Sequence, residues 1–287
     1  AVTTATAGTI SLDAEGGALT MAGDANVTAT DSNARLAAQG DITLGNVTAT
    51  NVSVVSAAGS LVNAADSSTN VTASNLRLQS QGSLGASDRH LTTDVTTLSA
   101  LSSSGSIYIT EANGITVDAV SVSVTEFNAD ASTTEVDDTA QSDLTTGAGS
   151  NGNIVLVATA GAITLNDGTD GVGGDGSGDG IAVSADGSGN VLLDAQSGSL
   201  IANAQVLAGS GNILLNAQGG SLSANTDIRS TSGHITLKAA DNIALNSGVA
   251  VTTATAGTIS LDAEGGALTM AGDADVTATG SSTRLAA

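Results

Sequence analysis

The stretch NDGTDGVGGDGSGDG, residues 166–180, sets Asp167, Asp170, Asp175 and Asp179 among glycines. Carboxylates and backbone carbonyls on tight glycine turns can wrap a hard cation, so the ligand expected here is calcium. The plainer reading is a solvated loop, because nonapeptide calcium-binding spacing does not recur. A second acidic run, FNADASTTEVDDTAQSDLTT at 127–146, carries Asp130, Glu135, Asp137, Asp138 and Asp143. It predicts an irregular coil with a lateral flap, which would be a lateral contact or ligand surface; the plainer reading is a wet loop. The only histidines are His90 and His234, and His234 falls on an outward-facing slot shared with Asn190 and Asn212. There is no cysteine nucleophile, no H-E-x-x-H and no G-x-S-x-G, and phosphate loops need a helix that the sequence does not offer. Carbohydrate-active enzymes on β-helices need paired carboxylates or bases in a groove with sugar-stacking aromatics. With one Tyr, one Phe and six basic residues, a non-catalytic role is expected; the alternative is a secreted carbohydrate-active β-helix enzyme.

Composition limits what could position such groups. The 287 residues hold no Pro, Cys or Trp, yet 40% are hydrophobic, mostly Ala, Val, Leu and Ile. A core without aromatic anchors must be thin and regular, buried a few residues at a time. Six basic against 28 acidic residues leave a net charge of −22, which repels nucleic acid and anionic membrane surfaces. No stretch approaches the ~20 apolar residues that span a bilayer.

The elements come from repetition. GNVLLDAQSGSL at 189–200 returns as GNILLNAQGGSL at 211–222, with variants at 8–19, 105–115, 152–163, 233–243 and 257–268 and weaker copies at 33–42, 52–61 and 75–84. The second apolar position marks Leu12, Leu36, Val55, Leu78, Ile109, Leu156, Leu193, Leu215, Leu237 and Leu261. Most steps are about 22 residues; the step of 47 from Ile109 to Leu156 reads as two coils, and those of 31 and 37 as one coil plus an insertion. Inside a unit the period is two, with Gly, Asn, Asp and Ser turns between short runs. No helical period is sustained. Three short strands per 22 residues, repeated, predict an all-β parallel β-helix (β-solenoid), with Ile10, Leu12, Ile213, Leu215, Ile235, Leu237, Ile259 and Leu261 inward.

A longer repeat overlies the first: residues 1–25 recur unchanged at 250–274, an offset of 249, and the match runs on to 38 against 287 with four differences. The chain therefore reads as one continuous solenoid over 1–287. One 249-residue unit is followed by the start of the next, with insertions near 127–150 and 166–188. Val-Thr-Ala-Thr recurs at 27–30, 47–50 and 276–279, and Val-Thr-Ala-Ser at 71–74. A stacked ladder of Thr28, Thr48, Thr72 and Thr277 would give a third reading, an ice- or water-ordering face, although exposed Thr is also ordinary strand chemistry.

The G-x-I-x-L-x-A-x-x-G-x-L line resembles the repeats of filamentous haemagglutinin-type surface proteins, and most of all the giant Gly/Ala/Asp-rich bacterial repeat proteins labelled by a Leu-Glu-Pro-Arg motif. That motif and the family's secretion domain are not in these residues. The resemblance implies a right-handed β-helix, secretion to the extracellular surface, and a role in adhesion or biofilm structure. The expected function is a structural shaft or adhesin stalk. Its expected partners are copies of itself stacked end to end and a cell-surface or polysaccharide ligand.

Overall fold

The computed structural model describes residues 1–65, 68–169 and 179–287. Among them every regular element is a strand, and 25 strands share one sheet. Alternation dictates this locally. In Ile213–Ala217 the side chains of Ile213, Leu215 and Ala217 are buried while Leu214 and Asn216 are only half-buried, as a pleat with one face inward requires. Pairing is parallel and like stacks on like: Val191, Ile213, Ile235 and Ile259 follow one another in register. Each fully buried Leu or Ile contributes roughly 1.5–3 kcal/mol, and sharing one column from layer to layer leaves no layer with a core of its own. The arrangement fits a parallel β-solenoid.

Of the residues expected inward, Ile10, Ile213, Leu215, Ile235, Leu237, Ile259 and Leu261 are at most 5% exposed, and Leu12 is half-buried against the same core. Several details differ from the sequence reading. Val54, not Val55, stacks on Leu36, and Val55 faces outward. The run Val-Ser-Val-Val offers two phases, and Val52 on Ala34 selects the first. The 47-residue step from Ile109 to Leu156 is a single layer, since the two pair directly. The extra length holds an antiparallel hairpin, Val120–Phe127 with Thr133–Gln141. The step of 37 is one layer plus an insertion, as expected.

The strands of the first third are longer than expected. Asn26–Ala38, Asn46–Ser56, Val71–Ser80 and Leu91–Ser102 each run through a corner. A register shift between Ala29 and Asn33, with Asp31 at φ 52°, absorbs the bend in the first of them. Leu91–Ser102 is then continued by three separate strands: Ile109 pairs with Leu91, Thr116 with Thr97 and Leu144 with Ala100.

This branching shows that the landmark residues belong to two columns. Leu12, Leu36, Val54, Leu78 and Ala100 lead on to Leu144, Val183, Val206, Ile228, Val251 and Val276. Ile109, Leu156, Leu193, Leu215, Leu237 and Leu261 form another. The two copies of residues 1–25 accordingly lie on different faces. Ile10 heads a column that ends on Met270, whereas its duplicate Ile259 stands in the column of Ile107. The 249-residue offset falls 11 residues (270 − 259) short of the tenth return to the Ile10 column.

Candidate interaction surface

Turn corners set the polar residues. Where a chain re-enters the same corner at every layer, an Asn side chain can donate to the Asn one layer away and satisfy the turn without water. Asn190 donates to Asn153 at 3.1 Å and Asn212 to Asn190 at 3.0 Å. The His234 amide then donates to Asn212, and the Thr258 amide to His234 Nδ1. His234 thus takes an Asn slot on the surface, as its spacing predicts. Two further ladders join Asn33, Asn51 and Asn75, and Asn166, Asn203, Asn225 and Asn246. The sequence reading missed these two, although Asn at intervals near 22 (203, 225, 246) was the available signal.

The hairpin is the largest departure from the stack. Its strands run across the layers, not along them. Gln141 Nε2 donates to the Leu78 carbonyl, the Arg77 guanidinium to the Thr139 carbonyl, and Asn33 Nδ2 to the Ser123 carbonyl. Thr9 exchanges two bonds with Thr125, and the Ser11 hydroxyl donates to Glu126 at 2.6 Å. Arg35 bridges Asp13 and Asp138 at 3.3 and 3.1 Å. Val120, Val122 and Val124 are buried with Val136 beside them, a small second core. Under this cover Ser53, Arg77 and Ser99 lose contact with water. Burial lowers the Arg77 pKa, and the negative charge of Asp138 opposes that shift. The flap expected from the acidic run is therefore an ordered strand pair that begins earlier, at Val120, and docks on the solenoid. Asp137 accepts from Ser123 within it, while Asp143 lies outside it and is buried.

The aspartates singled out for calcium divide. Asp167 is exposed, and Asp179 is exposed and accepts the Ile181 amide at 2.8 Å. Asp170 and Asp175 lie outside the described residues. Among the described residues no group of three or more potential ligands converges. Thr28, Thr48 and Thr72 do share an outward column, but Asp94 follows them. Thr277 stands in another column, on Thr252 and Arg229. His90 lies against Tyr108, ring centroids 5.6 Å apart, and bonds Thr110 at 2.8 Å; burial lowers its pKa. Among the described residues no helix is long and apolar enough to cross a membrane.

A further ionisable group sits inside the stack. Glu111 is fully buried in the column that continues from Thr93 to Ala158. It accepts from the Thr93 hydroxyl at 2.6 Å and from the Val95 and Asn113 amides at 3.2 and 3.1 Å. Burial raises its pKa, and these donors oppose the rise only in part. A carboxyl whose pKa is higher folded than unfolded holds a proton that unfolding releases, so stability falls as pH rises from the ordinary glutamate range through the raised value. Glu111→Gln should remove this component. Denaturant melts of the two proteins between acid and neutral pH should diverge, the variant losing less stability as pH rises. Parallel profiles would refute the assignment.

No family model, no curated protein and no solved structure matches this chain.

Proposed function

We propose that this chain is a non-catalytic structural shaft: a segment of a giant secreted bacterial surface protein that forms an extracellular filament or adhesin stalk. In this reading the coil is right-handed, with three strands and about 22 residues per turn. Copies of the 249-residue unit continue one another coaxially. The observation that carries it is the constancy of each column. Ile, Leu and Ala return at the same three positions in Ile213–Ala217, Ile235–Ala239 and Ile259–Ala263, while Asn ladders return at the corners. Catalysis needs one differentiated pocket, whereas identical layers add only length and stiffness. At roughly 4.8 Å per layer, ten layers span about 50 Å. The acidic surface keeps such an assembly dispersed. Electron micrographs of the purified chain should show short rods, and chains carrying two units should double their length. Compact particles of constant diameter would refute the proposal. Release of oligosaccharide from a polysaccharide panel would favour the carbohydrate-active alternative.

A further inference from the structure

We propose that the hairpin Val120–Phe127/Thr133–Gln141 is a clasp across the joint between successive long repeats, its tip seated on the outer face of the preceding repeat. The proposal rests on the shaft reading above, in which one 249-residue unit follows another. Within this chain the hairpin travels over the layers toward Thr9. Thr125 and Glu126 engage Thr9 and Ser11, and the tip from Phe127 to Ser132 goes beyond them. Phe127, the only Phe in the chain, is 76% exposed there. The tip is built and not loose: the Asn128 amide donates to the Ser132 carbonyl, the Ala131 amide to the Asn128 carbonyl, and Asp130 accepts from the Ser132 amide and hydroxyl. Four extended residues reach about 13 Å, more than two layers.

The second copy of the segment shows what the tip would meet. Thr258 and Ser260 repeat Thr9 and Ser11, Asp262 repeats Asp13, and Arg284 repeats Arg35, down to its ion pair with Asp262 at 2.9 Å. These residues are the hairpin's seat printed again. In this copy the seat rests on Ile235–Ala239, with Ser260 stacked on Thr236 and Asp262 on Lys238, and Thr258 bonded to His234. A hairpin from the following repeat, placed on Thr258, Ser260 and Arg284 as the present one is placed on Thr9, Ser11 and Arg35, would lay its tip along His234, Thr236 and Lys238. The charges suit each other. Residues 120–141 carry Glu126, Asp130, Glu135, Asp137 and Asp138 and no basic residue. The extended seat holds Arg284, Lys238 and His234; Arg284 and Lys238 are paired with Asp262 and Glu264, as Arg35 is with Asp13 under the present hairpin, and their side chains remain 61% and 41% exposed. Ser282 stands where Asn33 does and keeps a donor for the hairpin backbone.

The test uses a chain of two repeats, residues 1–287 followed directly by residues 39–249. The protein has no cysteine, so an introduced pair reports alone. Thr236→Cys in the first repeat with Phe127→Cys in the second tests the tip, and Ser260→Cys with Glu126→Cys in the second repeat tests the seat. With a short bismaleimide, most of the chain should become cross-linked in both pairs. Phe127→Cys placed in the first repeat should give no link to Thr236→Cys. Linkage at the seat but not at the tip overturns the clasp, as does a rod with neither link, and both leave the shaft reading standing. A compact, rounded particle overturns the shaft reading and the clasp together.

Discussion

Gly211→Ala is expected to destabilise the protein by about 3 kcal/mol, a large effect for one methyl group. Gly105, Gly152, Gly189, Gly211, Gly233 and Gly257 stack, and a Cβ on any of the last five would collide with the carbonyl oxygen of the glycine one layer below. Their backbone angles are not left-handed, so closeness is the constraint and not conformation. No side chain can move aside, since the obstacle is backbone whose position is set by the parallel ladder. The layer must open instead. Gly16 supplies the control: a Cβ there meets nothing within 4 Å, so Gly16→Ala should change stability by less than about 0.5 kcal/mol. Denaturant midpoints of the two variants decide it, and equal midpoints would refute the close-stacking account.

Leu215→Ala should cost about 3 kcal/mol, within the range for truncating a buried Leu. Leu215 is fully buried between Leu193 and Leu237. The damage should also be local. In a stack each layer touches only its neighbours, so stability is close to a sum over layers and interfaces. Hydrogen exchange should accelerate in Val191–Ala195, Ile213–Ala217 and Ile235–Ala239 and remain slow in Asn46–Ser56. Uniform acceleration along the whole chain would show a single cooperative core, contrary to a layered one.

How much of this was legible depended on which feature carried the information. Period-two alternation and the recurring G-x-I-x-L-x-A line placed Ile213, Leu215, Ile235 and Leu237 correctly, because inward position in a strand is a local property. Column membership is not local. Ile10 and Ile259 have identical neighbours in sequence and still stand in different columns, since the residues spent per layer vary from 18 between Leu36 and Val54 to 48 between Val117 and Leu165. The 47-residue step hid a hairpin because Val120, Val122 and Val124 alternate just as solenoid strands do; the antiparallel pairing of their strand, and the docking of Thr125, Ser123 and Thr139 on Thr9, Asn33 and Arg77, set it apart. The buried Glu111 lay in a position that reads as Ala in later layers, a departure visible in the aligned line but not its energetic meaning. The acids at 166–180 carried the clearest compositional signal; Asp170 and Asp175 lie outside the described residues, and among the described ones Asp167 and Asp179 belong to no group of three or more potential ligands.

In a shaft of this kind the long axis of the molecule is the stacking direction of its strands. Fibre diffraction from aligned filaments of this protein measures it directly. A sharp reflection near 4.8 Å is expected on the meridian, parallel to the filament axis, with the ~10 Å sheet spacing across it. A 4.8 Å reflection on the equator, with strands running along the filament, would contradict it.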